Sequence, residues 1–336
     1  MSLWDSYRMR VRRRYRLLRA ARKSFELKPF QDHTGAIRKT DVLLICTMRN
    51  EGVRLPYFLS YYRGLGVGHF LFVDNDSSDD TLDQLAGQPD VSVWTTTASY
   101  RRSTFGVDWV NWLARKHAHD HWTLVVDPDE FFIYPFCDTR PIPALVDWLD
   151  NSSIRSFSAM LIDVYPKGRI DAQPYLPGQN PLEIASWFDS GNYTIKRNKT
   201  YGNLWIQGGP RARMFFAEAP EQAPALNKIP LVKWHRKYAF VSSTHTLLPR
   251  GLNQVYDDSG GEKASGALLH AKFLDTFTAK ASEELERGQH YANSMEYRAY
   301  AERLKDNPDL WCKWSEKYIN WRQLEILGLM SKGNWA

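Results

Sequence analysis

The chain has only three cysteines, Cys46, Cys137 and Cys312, far apart and odd in number. That excludes a disulfide framework and offers no zinc-ligand spacing, so a reducing, cytoplasmic setting is expected. Long hydrophobic runs are missing too. No apolar stretch approaches the length of a membrane span, and no secretory leader is read. Internal repeats and low-complexity segments are also absent. The formal net charge is +6, but residues 1–30 hold ten Lys/Arg against Asp5 and Glu26. That surplus of eight leaves the remaining chain two short of neutral. A generally basic nucleic-acid binder is thereby excluded, and no nucleic-acid partner is expected.

What is present is a chain of 336 residues, 43% hydrophobic, enough for one large domain or two modest ones and too apolar for wholesale disorder. Aromatics reach 14%, with 13 Trp and 17 Tyr. Core and interface packing account for most such rings, and sugar-binding surfaces are a further use.

Residues 3–25 have helical periodicity. Trp4, Tyr7, Val11, Tyr15, Leu18, Ala21 and Phe25 recur at steps of three or four, and arginines fill much of the remainder. Residues 1–25 are read as a basic amphipathic helix on an anionic membrane surface, as a solvated helix packed on the main domain, or as a contact with acidic partners. The first reading places the protein peripherally on the inner face of the cytoplasmic membrane.

Residues 29–41 read as a linker. Strand and helix then alternate: a strand at 42–47, a helix closed by Gly64 and Gly66, and a strand at 69–73. Next come a short helix with Ser77 or Ser78 as N-cap, a strand at 91–95, a helix at 105–119, and a strand at 122–126. This alternation predicts an α/β fold, a Rossmann-like, mainly parallel sheet with helices on both faces. Ligands in such sheets sit beyond the strand carboxyl ends. Three polar clusters fall there: Arg49/Asn50/Glu51, Asp74/Asn75/Asp76 and Asp127/Asp129/Glu130. Burying that much like charge demands a cation or hydrogen-bond donors. Two aspartates one residue apart suit a divalent metal that also holds phosphate oxygens. Each cluster alone reads more readily as a turn; three together point to a site.

The later chain is less regular. A strand at 157–164 carries Asp163 near its end. Residues 171–203 read as long loops, with Asp189 among them. A strand at 211–216 presents Arg211 and Arg213, and one at 240–243 leads to His245. Residues 268–273 read as a strand with His270 and Lys272 two apart on one face. Residues 279–304 and 310–329 read as helices.

The runs Thr47-Met48-Arg49-Asn50-Glu51, Val73-Asp74-Asn75-Asp76-Ser77-Ser78-Asp79-Asp80-Thr81 and Asp127-Pro128-Asp129-Glu130-Phe131 resemble the family 2 glycosyltransferases. The match is to the bacterial branch whose aspartate motif is followed by Glu-Phe. It is strong over residues 40–135 and weaker through the Arg211/Arg213 and His270/Lys272 segments. The resemblance implies a GT-A fold, a nucleotide-sugar donor (a UDP-sugar by analogy), Mn²⁺ or Mg²⁺, and usually an inverting transfer. The acceptor is expected to be a glycan or lipid-linked, in bacterial surface polysaccharide or glycoconjugate synthesis.

By position, Thr47, Arg49, Asn50, Glu51, Asp74, Asn75 and Asp76 are expected around the nucleoside. Asp127 and Asp129 form the Asp-X-Asp pair, with Asp129 on the metal and Asp127 on metal or ribose. Lys272, Arg211 and Arg213 are expected to face the diphosphate. His270 is a candidate third ligand, with His245 in reserve. The base is sought among Asp189, Asp163 and Glu130. The Gly-rich helix motif that carries the base in the family is not recognisable here. The implied organisation is an N-terminal helix over 1–30 and a transferase domain over 40–275. That domain divides into a nucleotide-binding half (40–135) and an acceptor half (150–275), and a helical extension follows over 276–336. The alternatives are a non-catalytic membrane-surface protein on a degenerate transferase fold and a glycoside hydrolase using a carboxylate pair.

Overall fold

The computed structural model describes residues 3–253, 255, 263–287, 300, 302–304 and 307–335. Helix α1 (Leu3–Lys23) leads into a short strand, β1 (Lys28–Gln31). Strands and helices then alternate as β2 (Val42–Met48), α2 (Leu55–Leu65), β3 (Val67–Asp74), α3 (Thr81–Leu85), β4 (Val91–Thr95), α4 (Val107–His117) and β5 (Trp122–Val125). Next come β6 (Glu130–Ile133), α5 (Ile142–Asn151), β7 (Ser156–Tyr165), β8 (Trp187–Asp189), β9 (Tyr193–Arg197) and β10 (Leu204–Gly208). The chain ends with β11 (Asn227–Lys233), β12 (Ala239–Ser242), β13 (Thr246–Leu248), β14 (Gly266–His270), α6 (Thr276–Arg287), β15 (Ser315–Lys317) and a short helix α7 (Trp321–Ile326).

The main sheet runs β1-β4-β3-β2-β5-β11-β7-β14-β6, with β8 and β15 attached beside β7. Strands β4, β3, β2 and β5 are mutually parallel. Strand β11 is antiparallel to both β5 and β7, and β14 is parallel to β7 but antiparallel to β6. The α/β architecture is therefore as expected, with a parallel half joined to a mixed half.

The parallel half follows from residue type. Strand β2 is apolar on both faces, as a doubly covered strand must be. Val42, Leu44, Cys46 and Met48 pack with Leu55, Phe58 and Leu59 of α2 and Leu145 of α5. Leu43 and Ile45 point the other way, onto Trp109, Val110 and Leu113 of α4. Gly66 ends α2 with φ +95°, a conformation that favours glycine. The carboxyl ends of β2, β3 and β5 thus share one edge.

Several expectations are corrected. The presumed linker contains β1, which pairs with the edge of β4. Neither Ser77 nor Ser78 caps α3; Asp80 occupies that position, and the Asp79 carboxylate accepts the Thr81 N–H at 3.0 Å. The long loop holds β8 and β9, the latter closing a hairpin with β10. Residues 211–215 form a π-helical turn instead of a strand, entered through Gly208, Gly209 and Pro210. Strand β14 stops at His270, so Lys272 shares no strand face with it. The C-terminal helical expectation reduces to β15 and α7, the latter capped by the Asn320 side chain. Of the helix expected at 279–304, the part to Arg287 is seen within α6, and much of the remainder lies outside the described residues.

Candidate active site

Two loops build one wall. Asn50, at the end of β2, and Asp76, after β3, have φ of +50° and +64°, tolerated by Asn and Asp. The Asn50 N–H donates to Ser77 Oγ at 2.9 Å, and its Oδ1 accepts the Ser78 N–H at 2.8 Å. The Asp74 carboxylate accepts the Ser77 N–H at 3.1 Å and the Ser77 hydroxyl. Burial pushes the Asp74 carboxyl upward, against these bonds. Asn50 and Asp74 thus use their polar groups to clasp the two loops together. Asn75 donates to the carbonyls of Thr96 and Ala98, each at 3.0 Å.

Arg49 Nη1 donates to the Asn75 carbonyl at 2.9 Å, and its Nε to Glu283 of α6 at 3.1 Å. The Asp76 side chain is exposed. Thr47 Oγ1 is buried without a partner among the described residues. It lies against Gly106, where an added Cβ would come within 3.2 Å of it and 3.0 Å of the Tyr100 ring. That close approach, with φ +75°, explains a glycine at the start of α4.

The floor is a chain of alternating charges. His270 Nε2 lies 3.2 Å from Asp129 Oδ2, and its Nδ1 lies 2.6 Å from Asp163 Oδ1. Asp163 Oδ2 in turn accepts Arg211 Nε at 2.7 Å. Enclosure opposes ionisation of Asp129, but His270, with Arg54 and Lys280, holds it well below the usual carboxylate range. For His270, burial opposes the charge, yet Asp129 and Asp163 raise it above an ordinary imidazole. Beside this chain, buried Lys228 bridges Asp127 Oδ2, at 3.0 Å, and the Glu130 carboxylate. Burial lifts Glu130 to about 7 against the pull of Lys228, with Asp127 adding to the rise. The Arg54 guanidinium, also buried, pairs with Glu51 at 3.1 Å, and Lys280 reaches Glu51 from α6.

These groups surround a cleft of about 1710 Å³. Of the expected residues, Thr47, Arg49, Glu51, Asn75, Asp127, Asp129, Glu130, Arg211, His270, Lys272 and His245 line it. Asn50, Asp74 and Asp76 are outside the lining, as is Asp163, which holds His270 at Nδ1. Asp189 and Arg213 are also outside it. They pair with each other at 2.8 Å, and the Tyr165 hydroxyl donates to the same carboxylate. Lys272 sets its ammonium over the rings of Tyr300 and Phe277, at 4.6 and 5.4 Å.

No group of three or more His, Cys, Asp or Glu among the described residues is arranged to hold a metal. Two groups do have suitable spacing. Adjacent ligands about 2.1 Å from an octahedral cation lie about 3 Å apart, and Asp129 Oδ2 and His270 Nε2 are separated by 3.2 Å. With Nδ1 held by Asp163, a neutral His270 keeps its lone pair on Nε2, the carboxylate–histidine arrangement of metal ligands.

No protein-family model and no curated protein matches the chain. Solved structures that align with it include a UTP-bound UGPase from Acinetobacter baumannii, at 11% identity and TM-score 0.28, over 79% of this chain and 83% of that one. A second, from Bacillus anthracis, is described as a glucose-1-phosphate thymidylyltransferase in complex with a sucrose. It aligns at 8% identity and TM-score 0.30, over 86% of this chain and 95% of that one. At such TM-scores these likenesses carry no weight for the site, which rests on its own residues.

Sequence reasoning missed Lys228, Arg54 and Lys280. Lys228 had a legible signal: a lysine inside the otherwise apolar run Ile229-Pro230-Leu231-Val232 and its flank, on a buried strand. A buried ammonium needs carboxylates, and the aspartate motif supplies them. Arg54 and Lys280 had none, because their common partner Glu51 is set by tertiary packing.

Proposed function

We propose that the protein transfers a sugar from a nucleoside-diphosphate sugar to an acceptor hydroxyl, with a divalent cation on Asp129 and His270. One observation carries this reading. Asp129 and His270 face each other at ligand spacing on the cleft floor, with His270 fixed from behind by Asp163. When bound, Mn²⁺ or Mg²⁺ supplies charge stabilisation to a departing diphosphate. This chain's own cations, Arg211, Lys228 and Lys280, border the same cleft and add to that field. Thr47 offers a hydroxyl that no described residue engages and Tyr100 a ring on the wall where the base and ribose would lie.

For the proton, His245 has suitable chemistry. Its Nδ1–H donates to the Asn227 carbonyl at 2.6 Å, which leaves Nε2 as the acceptor. Enclosure, then Lys228, holds it down to about 4, so it stays neutral at physiological pH. Of the carboxylates expected as base, Glu130 is engaged by Lys228, Asp163 positions His270, and Asp189 is held by Arg213. Gathering these acids onto cations suits an anion-binding pocket better than the opposed acid pair of a hydrolase.

The test is a thermal-shift series with UDP, GDP, CDP and dTDP, each with and without Mn²⁺. A ligand at a hundred times its Kd adds about 2.7 kcal/mol of stability. One nucleotide should stand out, and its shift should grow with the metal. No shift with any of the four contradicts the reading.

A further inference from the structure

Helix α1 is docked the wrong way round for an ordinary surface helix. A helix normally turns its apolar stripe to the core. Here the domain side is largely polar, with Met9 packed on Tyr201, Val241 and Leu248. Arg19 Nη2 meets Asp108 at 2.7 Å, Arg16 Nη1 meets Thr104 Oγ1 at 3.3 Å, and Ala20 is the one fully buried residue of the helix. The apolar stripe faces outward. Trp4, Tyr7, Val11, Tyr15 and Leu18 follow one line along the helix, with Trp4 65% and Leu18 60% exposed. Arg8, Arg10, Arg14 and Arg22 are exposed along its margins.

An aliphatic and aromatic stripe bordered by arginines matches the boundary between headgroups and acyl chains of an anionic bilayer. A second copy of the chain fits less well, because stripe-to-stripe pairing would set arginine against arginine. No helix among the described residues is long and apolar enough to cross a membrane, so the helix would lie in the surface.

The opposite side of α1 enters the cleft. Arg12 and Arg16 are part of its lining, together with Tyr201. The Arg12 guanidinium sits 5.2 Å over the Tyr201 ring. Tyr201 is only 9% exposed, yet its hydroxyl has no partner among the described residues, and neither has the buried Nε of Arg16. Two guanidiniums and a waiting hydroxyl make a phosphate-binding set.

We infer that α1 seats the protein on an anionic phospholipid surface by its outer stripe, while Arg12, Arg16 and Tyr201 receive the phosphate of a lipid-borne acceptor on its inner side. The second half rests on the transferase reading; the first does not.

Full-length protein is floated with phosphatidylcholine vesicles, plain or containing phosphatidylglycerol. It should bind the anionic vesicles and be released by high salt. Trp4→Ser combined with Leu18→Ser should cut partitioning at least roughly tenfold, with the thermal midpoint unchanged because both side chains are exposed. Lack of binding to anionic vesicles overturns the inference. So does binding that survives the double variant, or a dimer that the variant dissolves without any vesicle binding.

The inner face is tested with phosphatidylcholine vesicles carrying a prenyl phosphate, against vesicles of equal phosphatidylglycerol charge. Wild type should prefer the former, and Arg12→Gln with Arg16→Gln should abolish the preference. Equal binding to both by wild type overturns that half. Neither assay contains a nucleotide, so its failure is separable from failure of the donor reading.

Discussion

The Asp129 carboxylate and the His270 imidazole face each other across 3.2 Å, and the far nitrogen of that imidazole is anchored on Asp163 at 2.6 Å. Asp163 is 2% exposed and lies behind the cleft lining, so it acts through His270. Removing its charge should loosen the ring and its tautomer. Asp163→Asn is expected to weaken Mn²⁺ affinity about 10–100-fold, measured by titration calorimetry. Nucleotide affinity without metal should change far less.

Lys228 is 4% exposed and bridges Asp127 and Glu130. Lys228→Met strands buried Glu130 and should cost about 3–5 kcal/mol in urea unfolding. Adding Glu130→Gln removes the orphaned carboxylate and should recover part of that loss. A double variant as unstable as the single one contradicts this account of the bridge.

Stability should depend on pH with opposite signs on the two sides of an ordinary imidazole. Burial, then Lys116, holds His117 down to about 4. Its Nε2 is buried without a partner among the described residues, and its ring packs on Trp94 at 5.4 Å. His245 is likewise held down to about 4. Between the unfolded value of about 6.5 and the folded value, the unfolded chain binds more protons. The stability these two contribute is therefore present above that window and lost as pH falls through it. His270 is raised, so its contribution is full below about 6.5 and lost as pH rises through its folded value. Urea midpoints across pH should show both slopes, and His117→Gln should flatten the acid one.

The parallel half of the sheet was legible because its strands are apolar on both faces and end in polar clusters, as β2 and β3 do. The helices between them carry their own stop signals, as at Gly66. What could not be read was set by distant pairing. Strand β1 has an exposed, mixed sequence and exists only because the β4 edge accepts it. Residues 211–215 have a strand-like composition, but the preceding Gly208-Gly209-Pro210 turns the backbone into a π-helical turn. Within the site, the residue types at Asp127, Asp129 and His270 pointed to the floor of the cleft. The sequence could not reveal that Asn50 and Asp74 hold loops together, or that Asp189 pairs with Arg213.

His245→Gln should lower kcat by about 10²–10⁴-fold and leave donor binding intact, if Nε2 accepts the acceptor proton. Equal losses in kcat and in nucleotide affinity would mark His245 as a binding residue instead. The readout is steady-state transfer at saturating donor, with nucleotide Kd measured separately.

The most direct test of the central claim is calorimetric titration of the preferred nucleoside diphosphate, with and without Mn²⁺, into wild type and Asp129→Ala. The account predicts that Mn²⁺ tightens binding by at least roughly tenfold in wild type, each tenfold being about 1.4 kcal/mol, and has no such effect in Asp129→Ala. An equal effect of Mn²⁺ in both proteins contradicts it.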